Sequence, residues 1–329
     1  MSDSNSGLNI LFLGGGSIGA IYAFLLSRSP RGHTITVAVR SAYPIVSTVG
    51  YSISSVLLGE HTYLPSRVIS SPSQLAPSEA FDYIFITTKA TSGPLPLHGY
   101  PLSASTTIVL IQNGIGIEEP YVAAFPGVPI VSGVAYIAAA QPSPGRIVQS
   151  TVSMSLQVGV YPARGGAGEE DLGALVGTLN AAGIACVALQ DLQGARWRKL
   201  LFNACYATVC AVTGLDTHEA MAVSGALITG LAEEVRLAAN AAGTVMKREE
   251  VDRFFNKTEG LKMVPSMLQD RIAGREMEVR ALCGNVVAIA REFGVVVPKM
   301  EAVWEALKGI NRLLELERAG KAAGTGSTL

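Results

Sequence analysis

The chain has 329 residues, of which 49% are hydrophobic and only 16% are charged, a composition that excludes an intrinsically disordered protein. This length is enough for two domains. Lys and Arg number 25 and Asp and Glu number 26, so the formal net charge is −1 and nucleic acid is not an expected partner.

The first predicted elements are a strand at Asn9–Leu13 and a helix at 17–28, joined by a glycine-rich turn. The turn fits the pattern GxGxxG. Its first glycine permits a tight turn, its second lets a pyrophosphate approach the backbone, and its third lets the helix pack on the strand. The start of the helix offers unpaired N–H groups to phosphate. The sequence therefore predicts a dinucleotide site at Gly14, Gly16, Ser17, Ile18 and Gly19.

The second predicted strand, 34–39, indicates which dinucleotide is bound. An NAD site places an acidic residue at the end of this strand, but residues 20–59 contain no Asp or Glu. Arg40 follows the strand instead, and a guanidinium suits a 2′-phosphate. The sequence favours NADP, the alternative being that Arg40 is an ordinary surface residue.

Further strand signals recur along the first part of the chain, and each is bounded by turn residues. They lie at 83–87, 107–112, 129–136, 146–148, 154–160 and 184–189. The expected arrangement is an α/β fold with a Rossmann-type, doubly wound parallel sheet. Lys89 and Asn113 follow two of these strands, and ligands of such sheets bind beyond the carboxyl ends of the strands.

After residue 190 the pattern changes to long helical segments, at 195–213, 219–242, 266–293 and 299–317. We therefore expect an NADP-binding domain at 1–191 and an all-helical domain for substrate binding and dimerisation at 192–329. The apolar faces of the second and third helices suit a homodimer interface, and they equally suit the core of the helical domain.

Lys199 and Asn203 stand four residues apart and share one face of the first of these helices. The residues between them are apolar. A lysine in such surroundings has the lowered pKa that an acid or base catalyst needs near neutrality, and an amide beside it can orient a carbonyl. The alternative is a structural polar pair or a lysine that extends its ammonium to solvent.

Several motifs in this order and spacing resemble the ketopantoate (2-dehydropantoate) reductase family. They are the glycine-rich turn, Thr87-Thr88-Lys89-Ala90, Gln112-Asn113-Gly114-Ile115-Gly116, Lys199 with Asn203, and Pro265-Ser266-Met267-Leu268-Gln269-Asp270 followed by Glu278. The resemblance runs through most of the chain. It implies a Rossmann domain, a helical domain and NADPH-dependent reduction of a 2-keto acid to a 2-hydroxy acid.

The resemblance also implies roles for individual residues. Lys199 matches the general acid that protonates the substrate carbonyl oxygen. Asn113, Asn203 and Ser266 match positions that bind substrate or hold the nicotinamide end of the site. Glu278 matches the acidic residue that positions the cofactor ribose and the catalytic lysine, and Lys89 matches a lysine near the cofactor. Without the resemblance, Glu278 reads as one solvated charge among others.

One departure concerns the substrate. The family commonly has a second asparagine where this chain has Ala207, and a site that lacks a hydrogen-bonding group tolerates a less polar substrate. Ketopantoate, the precursor of pantoate in pantothenate biosynthesis, remains the favoured substrate. The alternatives are a D-2-hydroxyacid dehydrogenase that acts on a less polar 2-keto acid, and a non-catalytic NADP-binding sensor.

The remaining sequence features argue against other classes of protein. The four cysteines and four histidines form no metal-ligand pattern and no disulfide framework. The apolar run 8–26 is interrupted by glycines and 200–215 is short, so neither predicts a membrane span. With no targeting signal recognised, a cytoplasmic location is expected.

Overall fold

The computed structural model describes residues 7–91, 95–162 and 169–324. These residues form two compact units. The first takes in the described residues up to Thr88, those from 95 to Gln112, and Glu118–Leu192; the second takes in 89–91, Asn113–Ile117 and the described residues from Gln193 onward. Two short segments that the predicted ranges assign to the first domain thus pack within the helical unit.

The first unit contains all the strands among the described residues. They are β1 (Asn9–Leu13), β2 (Thr34–Ala38), β3 (Tyr51–Ser55), β4 (Gly59–Tyr63), β5 (Arg67–Ile69), β6 (Tyr83–Ile86), β7 (Thr107–Leu110), β8 (Ile130–Tyr136), β9 (Ala139–Ser143), β10 (Arg146–Gln149), β11 (Ser155–Tyr161) and β12 (Ala185–Ala188). Its helices are α1 (Ser17–Ser27), α2 (Tyr43–Val46), α3 (Glu119–Ala124) and α4 (Glu169–Ala181).

Eight strands form one large sheet in the order β12-β11-β8-β7-β6-β1-β2-β5. Neighbouring strands are parallel except β8 and β11, which are antiparallel. The central strands β1, β6 and β7 are almost entirely buried, as expected for parallel strands covered on both faces. The mixed α/β fold with a parallel sheet is confirmed.

A second sheet, in the order β4-β3-β10-β9, explains the unusual composition of α1. This helix is apolar on all sides, and residues Gly19 to Leu26 are all buried. It contacts β1 and β2 of the large sheet and β9 and β10 of the small one. A helix covered on two faces cannot present a polar side to water, so its apolar surface is continuous. The sequence predicted only β10 of this small sheet.

The second unit is built of helices. Its elements are α5 (Leu192–Leu200), a π-helical segment (Leu201–Tyr206), α6 (Ala207–Thr213), α7 (Thr217–Ala241), α8 (Arg248–Thr258), α9 (Ser266–Ile272), a second π-helical segment (Arg280–Gly284), α10 (Asn285–Glu292) and α11 (Pro298–Gly324). Their apolar faces form one core, to which Ile115 also belongs.

The structure corrects two of the predicted helices. The helix expected at 266–293 is broken, because α9 ends at Ile272, Gly274 just beyond it has a φ of +66°, and the chain resumes a helix only after Glu278. The helix expected at 195–213 is continuous, but the segment Leu201–Tyr206 within it is π-helical. Such segments insert an extra residue into a helical turn and often lie at functional sites. Helix α8 was not predicted.

Among the described residues, no single helix is long and apolar enough to cross a bilayer. The segments Leu192–Thr213 and Thr217–Ala241 meet that length and composition only as a pair, and they are bent by 106° relative to each other.

Candidate functional site

The glycine-rich turn leads from β1 into α1. Gly14 has a φ of +109°, and a Cβ there would lie 2.6 Å from the backbone nitrogen of Thr88, so the position requires glycine. A Cβ on Gly19 would collide with the carbonyl of Gly14. By contrast, a Cβ on Gly16 would meet no atom within 4 Å. Gly14 and Gly19 thus serve the fold, whereas Gly16 borders open space that suits a pyrophosphate.

Gly15 is a further required glycine, which the sequence pattern did not single out. A Cβ there would collide with the side chains of Tyr51 and Val39. The Tyr51 hydroxyl donates a hydrogen bond to the carbonyl of Gly15 at 3.2 Å. Burial raises the pKa of Tyr51 well above its usual value, so this hydroxyl stays protonated and able to donate. The turn therefore rests on a buried aromatic ring.

Ser17 and Ile18 begin α1, but their side chains make contacts within the first unit. Ser17 Oγ donates to the carbonyl of Ala139 at 3.1 Å, and Ile18 is half-buried against the apolar core. What both residues offer to an anion is their backbone N–H, because the first N–H groups of a helix have no acceptor within it.

Arg40 lies two residues beyond the end of β2 and is exposed. Among the described residues it forms no ion pair. Tyr100 is close to it: burial raises the pKa of the Tyr100 hydroxyl, and the positive charge of Arg40 opposes that rise. An exposed guanidinium at the end of the second strand fits the position predicted for recognition of a 2′-phosphate.

The second unit brings Lys199 and Asn113 together. Lys199 Nζ donates a hydrogen bond to Oδ1 of Asn113 at 2.8 Å, although the two residues are 86 positions apart. The pKa of Lys199 is lowered to about 8: burial is the largest cause, the nearby charge of Arg196 adds to it, and that of Glu278 opposes it. An ammonium with this pKa can release a proton near neutrality.

Glu278 is buried and faces the same asparagine. Its Oε1 accepts the backbone N–H of Ala90 at 3.0 Å, and its carboxylate also accepts a hydrogen bond from the side chain of Asn113. Burial raises the pKa of Glu278, and the Asp270 charge adds to this; the Ala90 and Asn113 hydrogen bonds and the Lys89 charge oppose it. The Asn113 amide therefore bridges Glu278 and Lys199.

Lys89 lies in the same unit, in an ion pair with Asp270. The Nζ–Oδ1 distance is 2.5 Å, and Arg275 Nε contacts the same oxygen at 3.0 Å. The Asp270 side chain is nearly buried, whereas those of Lys89 and Arg275 are about half-exposed. Two cations thus share the Asp270 carboxylate, and the charge of Lys89 acts on Glu278 as well.

Asn203 and Ser266 are placed differently from the other predicted residues of this unit. Asn203 lies half-buried in the first π-helical segment, and Ser266 is the exposed first residue of α9. None of the described residues forms a hydrogen bond with either side chain. Both polar groups are therefore available to a ligand.

Three residues that the sequence did not single out hold the segments around Lys89 and Asn113 in place. Arg196 Nη1 donates to the carbonyl of Gly114 at 3.1 Å, Asn285 Nδ2 donates to the carbonyl of Ile115 at 2.7 Å, and Asp270 binds Lys89. Asp270 stands in a motif that carries the family resemblance, so that motif could have indicated it. Arg196 and Asn285 have no comparable signal, because their partners are distant backbone carbonyls.

The candidate site includes no metal centre among the described residues: they contain no group of three or more His, Cys, Asp or Glu side chains that could hold an ion. All four cysteines are buried and free.

Comparison with known families covers both units. The family described as ketopantoate reductase PanE/ApbA matches residues 10–163, and its C-terminal counterpart, ketopantoate reductase PanE/ApbA C terminal, matches residues 191–311. The chain belongs to the ketopantoate reductase family. As a member of the ketopantoate reductase family it is an oxidoreductase, and the predicted resemblance is confirmed.

Individual relatives agree with this assignment. The 2-dehydropantoate 2-reductase of Nostoc sp. is 28% identical over 320 residues, which cover 92% of this chain and 96% of that protein. The crystal structure of 2-dehydropantoate 2-reductase from Methylococcus capsulatus is 33% identical, has a TM-score of 0.81, and is matched over 94% of this chain and 97% of that one.

A further solved structure has the same fold as this chain. It is the ternary structure of D-mandelate dehydrogenase with NADH and anilino(oxo)acetate, with a TM-score of 0.82. The match covers 94% of this chain and 99% of that one at 20% identity, so it speaks for the fold alone.

Proposed function

We propose that the protein reduces a 2-keto acid to the 2-hydroxy acid with NADPH, and that ketopantoate, converted to pantoate for pantothenate biosynthesis, is its favoured substrate. The observation that carries this proposal is the Lys199 ammonium, held by Asn113 at 2.8 Å with its pKa lowered to about 8. An ammonium of this kind is what the reduction of a ketone requires as a proton donor.

Lys199 acts as the general acid in this proposal. Its ammonium donates a proton to the carbonyl oxygen of the substrate as the carbonyl carbon is reduced, so the negative charge that develops on that oxygen is neutralised. Lys199 is left as a neutral amine and regains a proton from solvent. The hydrogen bond to Asn113 fixes one of the three N–H directions of the ammonium and so limits its rotation.

Glu278 acts through Asn113 as well as by its charge. The carboxyl group binds the amide N–H of Asn113, which orients the amide oxygen toward Lys199. The negative charge of Glu278 raises the pKa of Lys199 and so favours the protonated state that the reaction needs. We assign substrate binding to Asn113, Asn203 and Ser266, whose amide and hydroxyl groups suit a carboxylate and a carbonyl.

The residues of the first unit fit a nicotinamide dinucleotide. Gly16 leaves open space at the start of α1, and the Ser17 and Ile18 backbone N–H groups lie at that helix terminus. We assign Arg40 to the 2′-phosphate that distinguishes NADPH from NADH. Lys89, a half-exposed cation of the second unit, is assigned to the cofactor as well. When bound, the cofactor supplies the hydride.

A second candidate function is supported by Ala207. This residue follows Asn203 by four positions and is 1% exposed within the core of the second unit, so no polar atom is presented where the family commonly has an asparagine. Such a site suits a less polar 2-keto acid, reduced by the same chemistry to a D-2-hydroxy acid.

The test is the initial rate of NADPH oxidation by the purified protein with ketopantoate, with straight-chain and branched aliphatic 2-keto acids, and with an aromatic 2-keto acid. NADH in place of NADPH tests the cofactor. The highest kcat/KM with ketopantoate and NADPH supports the first proposal, and a higher value with another 2-keto acid supports the second. Tight NADPH binding without turnover of any of them contradicts both and indicates a sensor.

The variant Lys199→Ala tests the role of the lysine. We expect kcat to fall by about 10²–10⁴-fold while NADPH still binds, because the proton donor is lost and the cofactor residues are intact. The matched control is Lys262→Ala, which removes an exposed lysine of the same unit and is expected to leave kcat unchanged. Unchanged turnover in Lys199→Ala contradicts general acid catalysis by this residue.

A further inference from the structure

Arg196 is a buried cation next to the candidate general acid. It lies on α5 three residues before Lys199, so the two side chains are neighbours on the helix surface. Arg196 is 3% exposed, and its Nη1 donates a hydrogen bond to the carbonyl of Gly114 at 3.1 Å. Placing a guanidinium in the protein interior is costly unless hydrogen bonds or an opposite charge compensate for its lost hydration.

The carbonyl that Arg196 binds belongs to a tightly held stretch of backbone. Gly114 has a φ of +105°, and a Cβ on it would lie 2.5 Å from the carbonyl oxygen of Ala281. The next residue, Ile115, donates its N–H to that same carbonyl at 3.1 Å and accepts a hydrogen bond from Asn285 at 2.7 Å. This stretch is therefore fixed against the second π-helical segment and the start of α10.

Two cations of one helix thus bind two consecutive residues. Lys199 reaches the side chain of Asn113, and Arg196 reaches the backbone of Gly114 directly after it. The peptide group between Asn113 and Gly114 connects the two contacts, so a shift of the Gly114 carbonyl would be passed on to the Asn113 side chain. A displacement of about 1 Å at such a position is enough to lower a rate by 10²-fold.

We propose that Arg196 is a positioning residue for the general acid: it holds the Asn113–Gly114 backbone where the Asn113 amide receives the Lys199 ammonium. This inference rests on the proposed function, in which Lys199 supplies the proton. Arg196 acts through its neighbours and does not itself contact substrate.

The charge of Arg196 has a second, measurable effect. Among the described residues, the charge of Arg196 lowers the pKa of Lys199 and that of Glu278 raises it; the charges of Lys89 and Asp270 act in turn on the pKa of Glu278. Removing the Arg196 charge is therefore expected to raise the pKa of Lys199. A residue that stabilised the fold without placing a charge near Lys199 would not move this titration.

The experiment compares Arg196→Gln and Arg196→Lys with the parent protein, using the pH dependence of kcat/KM for the best 2-keto acid. The basic limb of this profile is the fall of kcat/KM at high pH, where Lys199 loses its proton. In Arg196→Gln we expect the pKa of the basic limb to rise by about one pH unit. We also expect kcat/KM at pH 7 to fall by roughly 10–100-fold. Arg196→Lys keeps the charge, so its basic limb should stay at that of the parent, with a smaller loss of kcat/KM.

Arg198→Gln is the matched control. Arg198 lies on the same helix beside Lys199, but it is exposed and its Nε contacts Glu250 Oε2 at 2.7 Å. Its substitution should leave the basic limb unchanged. A folded Arg196→Gln protein with an unmoved basic limb, or with a kcat/KM at pH 7 equal to that of the parent, overturns the proposal. If Arg196→Gln does not fold, a rise of the basic limb in the charge-retaining Arg196→Lys overturns it instead.

A readout without turnover separates this inference from the proposed function. The Lys199 ammonium is titrated by NMR in lysine-labelled protein, and its signal is assigned by its absence in Lys199→Arg. If the parent reduces no 2-keto acid, the proposed function fails. The titration still shows whether Arg196 affects the pKa of Lys199. A Lys199 pKa that rises in Arg196→Gln and not in Arg198→Gln supports the inference; equal values in all three proteins overturn it.

Discussion

The Asn113 amide is bound at both ends: its oxygen accepts a hydrogen bond from Lys199 at 2.8 Å, and its nitrogen donates to Glu278. The lysine and the carboxylate are thereby linked through a neutral group. A carboxylate in direct contact with an ammonium raises the pKa of that ammonium strongly. The amide bridge orients Lys199 while leaving it acidic enough to give up its proton near neutrality.

The first prediction concerns the pH dependence of the reaction. Because the protonated form of Lys199 is the active one for reduction, kcat/KM should be constant below about pH 8 and fall tenfold per pH unit above it. Oxidation of the 2-hydroxy acid requires the neutral amine, so its rate should rise through the same pH. Rates in both directions from pH 6 to 10 test this. A reduction profile that is flat up to pH 10 would contradict it.

The second prediction concerns Glu278→Gln. The amide can still accept from Ala90 N–H and orient Asn113, but the negative charge that raises the pKa of Lys199 is gone. The basic limb of kcat/KM should therefore move to lower pH, opposite to the shift expected for Arg196→Gln. Glu276→Gln, two residues away, is the control. A basic limb that stays in place would show that Glu278 acts by geometry alone.

The third prediction concerns stability. The pKa of Lys199 is about 8 in the folded protein, against 10.5 for an unperturbed lysine, so the folded state binds fewer protons between these values. The free energy of unfolding should therefore rise with pH from 8 to 10.5, and the buried ammonium lowers it at pH 7. Lys199→Met should stabilise the inactive protein by about 1–2 kcal/mol at pH 7.

Urea unfolding at pH 7 and pH 10 measures this effect. The gain from Lys199→Met should be larger at pH 7, where the parent carries the buried charge, and smaller at pH 10. Lys262→Met, at an exposed position, should show no gain at either pH. A loss of stability in Lys199→Met at pH 7 would mean that the contacts of the ammonium outweigh its burial.

The fourth prediction separates two adjacent glycines. Gly16→Ala meets no atom within 4 Å, so the protein should fold normally, but the methyl group occupies the space left for a pyrophosphate. We expect its Kd for NADPH to rise by at least about tenfold. Gly15→Ala collides with Tyr51 and should destabilise the fold itself. Fluorescence titration with NADPH and thermal unfolding distinguish the two effects.

The fifth prediction concerns the choice of cofactor. Arg40→Ala should raise the KM for NADPH by roughly 10–100-fold and leave the KM for NADH unchanged, because a charge-assisted contact to a phosphate is lost. Arg31→Ala is the matched control: it removes an exposed arginine just before β2. Equal effects of Arg40→Ala on both cofactors would contradict recognition of a 2′-phosphate by this residue.

The sequence by itself indicated the parts of the protein that local patterns encode. The glycine turn between a strand and a helix, and the four-residue spacing of Lys199 and Asn203, are set by neighbouring residues and can be read directly. The buried strands β1, β6 and β7 were visible as apolar runs between turns. The small sheet around α1 was largely missed, because its strands are short and carry many polar residues.

Tertiary structure alone decided how the polar residues meet. The expected single helix at 266–293 breaks at Gly274, and Glu278 reaches Asn113 from the stretch that follows. The contacts of Arg196 with Gly114, and of Tyr51 with Gly15, join residues 82 and 36 positions apart. Periodicity reports which face of an element is buried, whereas the partner of a buried polar group is fixed only when distant segments pack together.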